Sequence, residues 1–218
     1  MAKPRKTERK LIEDLAGTTD PKKLESLKQL SKDHDEEMLL CAKDLFYFLQ
    51  FCYTEDEDNK KIRPFPVHYQ YLREVNQSIE DNQKTVILKS RRLLISWLGM
   101  LRQMHQAIFA GMSGGHEVFF GGVASVGEVE AQYLIERITK VYHRLPKWIK
   151  SRNPLITDNK LYMEWKYGGK VQAFACKREG PQTFGFSEFF FDEMALQEAA
   201  RLTWTGLIPT LGAQGKLL

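Results

Sequence analysis

The sequence predicts an α/β domain with a largely parallel sheet that is flanked by helices. From residue 63 onward, short apolar stretches alternate with segments of helical periodicity. The stretch SEFFFDEMA contains a continuous apolar run, which is typical of a strand buried on both faces of a parallel sheet. The chain has 218 residues, 43% of them hydrophobic, which is enough for one substantial domain with a small helical attachment.

The composition argues against a membrane-spanning, a secreted or a zinc-binding protein. No apolar run approaches the roughly 20 residues that a membrane span requires. The basic N-terminus MAKPRKTERK is followed by no apolar run, so a secretory signal is not expected. The three cysteines are widely spaced without a zinc-binding pattern and favour a reducing, intracellular setting. The net charge of +4 permits a polyanionic partner without requiring one.

We predict three parts along the chain. They are a flexible basic arm at residues 1–20, a helical N-terminal segment at residues 21–62, and the α/β domain at residues 63–218. Within the helical segment, a helix is expected at residues 36–51. The acidic cluster TEDEDNKK that follows it is interpreted as a solvated loop.

The α/β domain is expected to begin with a helix entered through Pro66. The elements predicted after it are a strand at residues 85–88, a helix at 96–109, a strand at 117–122, a helix at 126–145, two strands around a Gly168-Gly169 turn, a strand in SEFFFDEMA, a helix from about Leu196 and a strand at GKLL.

Two acidic residues end the buried strand. Asp192 and Glu193 directly follow Phe191, and ligands of open α/β sheets gather at the carboxyl ends of strands. At such a place Asp192 would hold Mg²⁺ through water, and Glu193 would orient or deprotonate an attacking water. The alternative is an ordinary turn whose acids cap the following helix, and the sequence leaves both interpretations open.

A basic turn follows the strand predicted at residues 85–88. A phosphate loop needs backbone N–H groups at a helix N-terminus and a cation that reaches the phosphates. Ser96 occupies the hydroxyl position of the pattern G-x-x-x-x-G-K-[S/T], but Leu94 and Ile95 stand where Gly-Lys is expected. The cations of this turn are Lys89, Arg91 and Arg92. An exposed basic turn without a ligand is the alternative.

From about Phe65 to its last residue, the chain resembles a known family. KSRRLLISW is similar to the variant phosphate loop of the large terminase subunits of tailed bacteriophages, the ATP-driven motors that package DNA. FFFDEMA resembles the acidic strand of that family, YHRLPKWI a helix end typical of it, and GLIPTLGAQGKLL the segment that leads toward its coupling motif. The resemblance implies a P-loop NTPase-like fold of the additional-strand type, with ATP and Mg²⁺ as cofactors.

The resemblance also implies a role for each matched residue. Ser96 and Asp192 are implied at the metal, and Glu193 is implied as the catalytic acid. Gln70 matches the glutamine that reads adenine, which suits a carboxamide because it donates and accepts hydrogen bonds at once; an exposed helix residue is the alternative. The implied nucleotide-binding residues are Gln70, Lys89, Ser90, Arg91, Arg92, Leu94, Ile95 and Ser96.

This chain departs from the family pattern in places. Leu94 carries a side chain where the family commonly has glycine. Ile95 supplies no positive charge, so we expect Lys89 or Arg92 to reach the phosphates instead, and fast hydrolysis by the isolated chain is not expected. Arg178 is the candidate arginine finger, although Gln182 lies nearer to the register that the family implies.

The implied function is that of the ATPase domain of a terminase large subunit, which powers packaging of double-stranded DNA into proheads. The implied partners are double-stranded DNA, a portal protein, a small terminase subunit and further copies of the chain in a ring, with no membrane. The implied location is the host cytoplasm, with transient docking on the prohead. We expect a fragment that is truncated before the coupling motif and the RNase H-type nuclease domain, so nuclease activity is not expected from these residues. The alternative is a degenerate P-loop module without hydrolysis that acts in docking to DNA or to the portal.

Overall fold

In the computed structural model, residues 34–56, 59–110, 118–175, 184–197 and 200–218 are described. Contacts divide the chain into two units, Met1–Lys43 and Asp44–Leu218. In the first unit, residues 34–43 form a helix, α1. The sheet and the candidate site belong to the second unit.

The second unit contains six helices and eight strands within the described ranges. The helices are α2 (Leu45–Leu49), α3 (Gln70–Asp81), α4 (Ile95–Phe109), α5 (Glu128–Arg144), α6 (Lys147–Arg152) and α7 (Ala200–Leu207). The strands are β1 (Tyr53–Glu55), β2 (Ile62–Pro64), β3 (Phe120–Ser125), β4 (Leu155–Asp158), β5 (Tyr162–Trp165), β6 (Lys170–Ala175), β7 (Phe186–Phe191) and β8 (Leu211–Leu217). None of the helices in the described ranges is both long and apolar enough to cross a membrane.

Six strands form one mixed sheet in the order β4-β5-β6-β3-β7-β8. The four strands β6, β3, β7 and β8 are parallel, and β4 and β5 join them as antiparallel strands at one side. Strands β1 and β2 form a separate antiparallel pair around the acidic cluster. The predicted α/β class with a largely parallel sheet is therefore confirmed.

Helices cover both faces of the sheet. Thirteen of the fifteen residues of α4 are buried, so this helix lies in the interior and not on the surface. On the other face, an aromatic cluster including Phe189 and Phe191 packs with Leu207 and Trp204 of α7. Strand β7 is thereby buried on both sides, as its continuous apolar run predicted.

Residues 85–88 do not form the regular strand that the sequence predicts. The Thr85 N–H donates to the Leu217 carbonyl at 2.9 Å, beside a single isolated parallel bridge to β8. Beyond this point Val86 and Leu88 are 74% and 96% exposed. These exposed apolar side chains are not packed against residues that would hold the segment in the pleated conformation of a strand. The segment is therefore extended but does not form a regular strand. Residues 83–85 nevertheless lie on the outer side of β8, which separates them from β7.

The helix predicted at residues 36–51 is interrupted at Asp44. There the chain leaves the helical conformation, with φ −128° and ψ 112°, and the carboxylate accepts a hydrogen bond from the Phe46 N–H at 2.7 Å. This N-cap starts the short helix α2. An aspartate that caps a new helix is thus the physical reason for the break.

Candidate functional site

The basic turn lies immediately before helix α4. The N-cap of α4, Leu94, has the left-handed angles φ 56° and ψ 15°, and Arg92 has φ 67°. The polar residues of the turn, which are all exposed, are Lys89, Ser90, Arg91 and Arg92. Free N–H groups and the positive end of the helix dipole therefore lie beside three cationic side chains, an arrangement that favours an anion.

The acidic turn lies at the carboxyl end of β7. The Asp192 N–H donates to the Ala124 carbonyl at 2.8 Å, and the Gln197 side-chain amide donates to the Asp192 carbonyl at 2.8 Å. Glu193 follows with left-handed angles of φ 54° and ψ 40°, and its carboxylate makes no capping hydrogen bond to the turn after it. Neighbouring backbone and side-chain groups thus hold the turn in place, and the Glu193 side chain makes no hydrogen bond that caps the short 3-10 turn at Met194–Leu196.

A hydrogen bond joins the first turn of α4, directly after the basic turn, to the acidic turn. The Ser96 hydroxyl donates to Asp192 Oδ1 at 2.6 Å. Helix α4 approaches β7 closely because residue 99 is glycine, where an added Cβ would lie 3.1 Å from the Phe190 ring. The predicted hydroxyl and the predicted metal-associated acid are therefore in direct contact.

The oxygens of Ser96 and Asp192 fit the requirements of Mg²⁺. The ion prefers oxygen ligands at about 2.0–2.1 Å in octahedral geometry, which places neighbouring ligands about 2.9 Å apart. The two oxygens lie 2.6 Å apart, so a small separation would let them serve as adjacent ligands. Within the described ranges no cluster of three or more His, Cys, Asp or Glu side chains could hold a metal ion. An ion here would accordingly take its remaining ligands from water and phosphate, as Mg²⁺ commonly does.

Strained backbone is concentrated in the two turns. Of the four non-glycine residues with positive φ in the described ranges, three are Arg92, Leu94 and Glu193. Each such conformation costs on the order of 1 kcal/mol or more and occurs preferentially at functional sites. Leu94 has this conformation at the position where the phosphate-loop pattern places a glycine.

Leu94 and Ile95 differ in how they face the turn. Leu94 is half-buried, whereas Ile95 is 5% exposed and belongs to the core. The Ile95 side chain therefore points away from any ligand in the turn. What this residue offers an anion is its backbone N–H, at the first position of α4.

The first turn of α3 lies against the basic turn. The Tyr71 hydroxyl donates to the Leu93 carbonyl at 3.2 Å, and the Tyr69 ring stacks on Tyr71 with centroids 5.7 Å apart. Burial raises the pKa of Tyr71 above its usual value, and the nearby Tyr69 adds a smaller rise in the same direction. Gln70 is the exposed first residue of α3, directly before Tyr71 in the sequence.

A buried ion-pair network below the site was not anticipated from the sequence. Arg102 Nε donates to Glu188 Oε2 at 2.7 Å, and both residues are 2% exposed. The Arg102 guanidinium also donates to Glu80 and, at 3.0 Å, to Asn76. The ammonium group of Lys216 donates to the Glu80 carbonyl at 2.8 Å. The available signal was a charged residue within each of two apolar runs, Arg102 in α4 and Glu188 in β7.

Burial and charge shift the pKa values of the network in different directions. Burial raises the pKa of Glu188, and the Arg102 charge opposes this shift only in part. Burial alone would raise the pKa of Glu80, but the hydrogen bond and charge of Arg102 bring it below its usual value. The second oxygen of Glu188, Oε1, is buried without a hydrogen-bond partner, which makes the charged form of this carboxylate costly.

Other predicted or possible site residues lie elsewhere. Arg178 and its alternative Gln182 fall outside the described residues. A cavity of about 520 Å³ lies at the end of α5, and none of the basic-turn or acidic-turn residues lines it. Its polar lining residues are His143, Lys147, Lys150, Ser151 and Asp158.

Comparison of the chain with protein-family models and with curated proteins gave no match.

Proposed function

We propose that this chain binds ATP with Mg²⁺ and is the ATPase portion of a phage terminase large subunit. The observation that carries the proposal is the hydrogen bond of 2.6 Å between Ser96 and Asp192. It joins the two residues that the family pattern assigns to the metal, although they are 96 positions apart in the sequence. If the basic turn and the acidic turn were unrelated in function, contact between them would not be expected to involve these two side chains.

The position of β8 gives separate support. In P-loop folds of the additional-strand type, one strand lies between the segment that precedes the phosphate loop and the acidic strand. Here β8 lies between the extended segment at residue 84 and β7. The left-handed backbone at Leu94, where the pattern has glycine, agrees with the same interpretation.

In the proposed mechanism the protein contributes charge stabilisation and positioning, and no covalent intermediate is formed. Lys89, Arg91 and the N-terminus of α4 stabilise the negative charge of the phosphates. Bound Mg²⁺, held by Ser96 and Asp192, would neutralise charge on the phosphate oxygens. Glu193 orients the attacking water and accepts its proton.

The proposed setting is a ring of copies of this chain in the host cytoplasm, docked transiently on a prohead. Its proposed partners are the portal protein, a small terminase subunit and double-stranded DNA. The work performed is translocation of DNA driven by ATP. Contact with DNA would go mainly from Lys and Arg to phosphates and would weaken as salt rises.

Nucleotide binding by three variants tests the proposal. ATP binding is measured by calorimetry with and without Mg²⁺ for the unaltered chain, Arg91→Ala and Glu193→Ala, with Arg63→Ala as a matched control on the β1–β2 pair. We expect Mg²⁺-dependent binding that Arg91→Ala weakens on the order of tenfold, as for loss of a charge-assisted contact. Glu193→Ala should keep binding and lose any turnover, and Arg63→Ala should behave as the unaltered chain. Absence of ATP binding by the unaltered chain would refute the proposal.

A second candidate function is a P-loop-derived module that does not hydrolyse ATP and serves in docking to DNA or to the portal. Two observations favour it: Leu94 is half-buried where the pattern needs a glycine, and the Ile95 side chain is in the core with no charge. ATP binding without turnover in all the proteins, with Glu193→Ala indistinguishable from the unaltered chain, would select this function.

A further inference from the structure

Helix α4 and strand β7 are joined at two places. The first is the Ser96–Asp192 hydrogen bond, and the second is the buried pair Arg102–Glu188. Arg102 lies six residues after Ser96, about 9 Å further along the helix. Glu188 lies four residues before Asp192, about 13 Å back along the strand. Two separated links fix both the sliding and the rotation of a helix against a strand, whereas one link alone leaves a pivot.

The same guanidinium also holds helix α3. Its Nη1 atom donates to both Glu80 and Asn76 in the last half of α3, and the first turn of that helix carries Gln70 and Tyr71. Lys216 on β8 donates to the carbonyls of Ile79 and Glu80 at 2.8 Å, which secures the end of α3. Arg102 therefore links the element that carries Gln70 with the elements that carry Ser96 and Asp192.

We propose that Arg102 is a positioning residue whose two ion pairs, with Glu188 and with Glu80, act on different parts of the site. We call these ion pairs the Glu188 arm and the Glu80 arm. The Glu188 arm sets the spacing of Ser96 and Asp192, and the Glu80 arm sets the position of α3 and thus of Gln70. This inference rests on the proposed function only for the identity of the ligand. It assigns a division of labour: metal placement to one arm and recognition of the base to the other.

The division gives a signature that general destabilisation does not produce. Glu188→Gln should raise the Mg²⁺ concentration needed for half-maximal ATP binding about tenfold, as for loss of a group that orients a metal ligand, and leave the preference for ATP over GTP unchanged. Glu80→Gln should reduce the preference for ATP over GTP and leave the Mg²⁺ requirement unchanged. The matched control is Glu136→Gln, which alters an exposed ion pair with Lys140 at 2.7 Å and should change neither quantity.

A double variant removes the buried charges without leaving one unpaired. Arg102→Met with Glu188→Leu replaces the pair by apolar side chains, a change that folded proteins often tolerate. In the nucleotide-free protein we expect amide hydrogen exchange to accelerate at the hydrogen-bonded N–H groups of Leu98, Asp192, Leu196 and Gln197 and to remain unchanged in β3 and β6. This readout needs no ligand, so it decides the positioning role even if the chain binds no ATP.

The outcomes separate the two proposals. No ATP binding by the unaltered chain, together with faster exchange at both turns in the double variant, refutes the proposed function and keeps the positioning role. ATP binding in which Glu188→Gln and Glu80→Gln change both readouts in the same proportion, or change neither, overturns the division between the arms. Unchanged exchange at both turns overturns the positioning role itself.

Discussion

Replacement of Arg102 by methionine is the most demanding test of how the interior is stabilised. The change removes the Arg102 cation from the Glu188 carboxylate, which is 2% exposed. Removing one partner of a buried pair costs about 3–5 kcal/mol, because an uncompensated charge stays buried. The Glu80 arm adds less than about 1 kcal/mol, since the Glu80 side chain is 43% exposed and water can replace its partner.

The predicted loss for Arg102→Met is therefore about 3–5 kcal/mol, a large part of the 5–15 kcal/mol that typically separates a folded domain from its unfolded state. Urea unfolding followed by circular dichroism measures it, with the m-value checked to remain constant. The double variant Arg102→Met/Glu188→Leu should recover most of the loss, which a double-mutant cycle quantifies. Lys140→Met, which breaks an exposed pair, should cost less than about 1 kcal/mol. A loss below about 1 kcal/mol for Arg102→Met itself would show that the reasoning about the buried charge is wrong.

Three further predictions concern pH, backbone strain and close packing. Glu188 has a raised pKa in the fold, so the free energy of unfolding should fall as pH rises from the ordinary glutamate pKa to the raised one. Glu80 has a lowered pKa, so its contribution to the free energy of unfolding should be lost as pH drops below the ordinary glutamate pKa. In pH-dependent urea titrations each slope is at most about 1.4 kcal/mol per pH unit, and Glu188→Gln and Glu80→Gln should each abolish only their own. Leu94→Gly should stabilise the turn by up to about 1 kcal/mol in thermal unfolding, because glycine adopts φ 56° without strain; a lower melting temperature contradicts this. Gly169→Ala should destabilise by more than about 2 kcal/mol in the same assay, since its Cβ would lie 1.9 Å from the Ala107 carbonyl oxygen; a melting temperature equal to that of the unaltered chain excludes the predicted clash.

The sheet and the acidic turn were predictable because their signals are local. The apolar run of β7 ends in two acids, and burial on both faces forces such a run into the middle of a sheet, with Asp192 at its carboxyl end. The turn at Gly168 was predictable for a similar reason, since its φ of 88° suits glycine. In each case a few adjacent residues are enough to predict the local structure.

The remaining features depend on partners that are distant in the sequence. Arg102 pairs with a carboxylate 86 positions away and with another 22 positions away, and no spacing rule connects them. Residues 85–88 have the composition of a strand, but their conformation depends on what packs against Val86 and Leu88. The resemblance implied Ser96 and Asp192 at one metal ion but not their direct hydrogen bond, and periodicity alone would not have brought them together.

The location of β8 has a consequence for the order of folding. Strand β8 is formed by residues 211–217, yet it is the surface on which the extended segment before the basic turn docks at Thr85. During synthesis the turn emerges more than a hundred residues before its support exists, and such distant pairing is slow because a long loop must close first. The basic turn therefore acquires its final orientation only after β8 has been synthesised and has taken its place in the sheet.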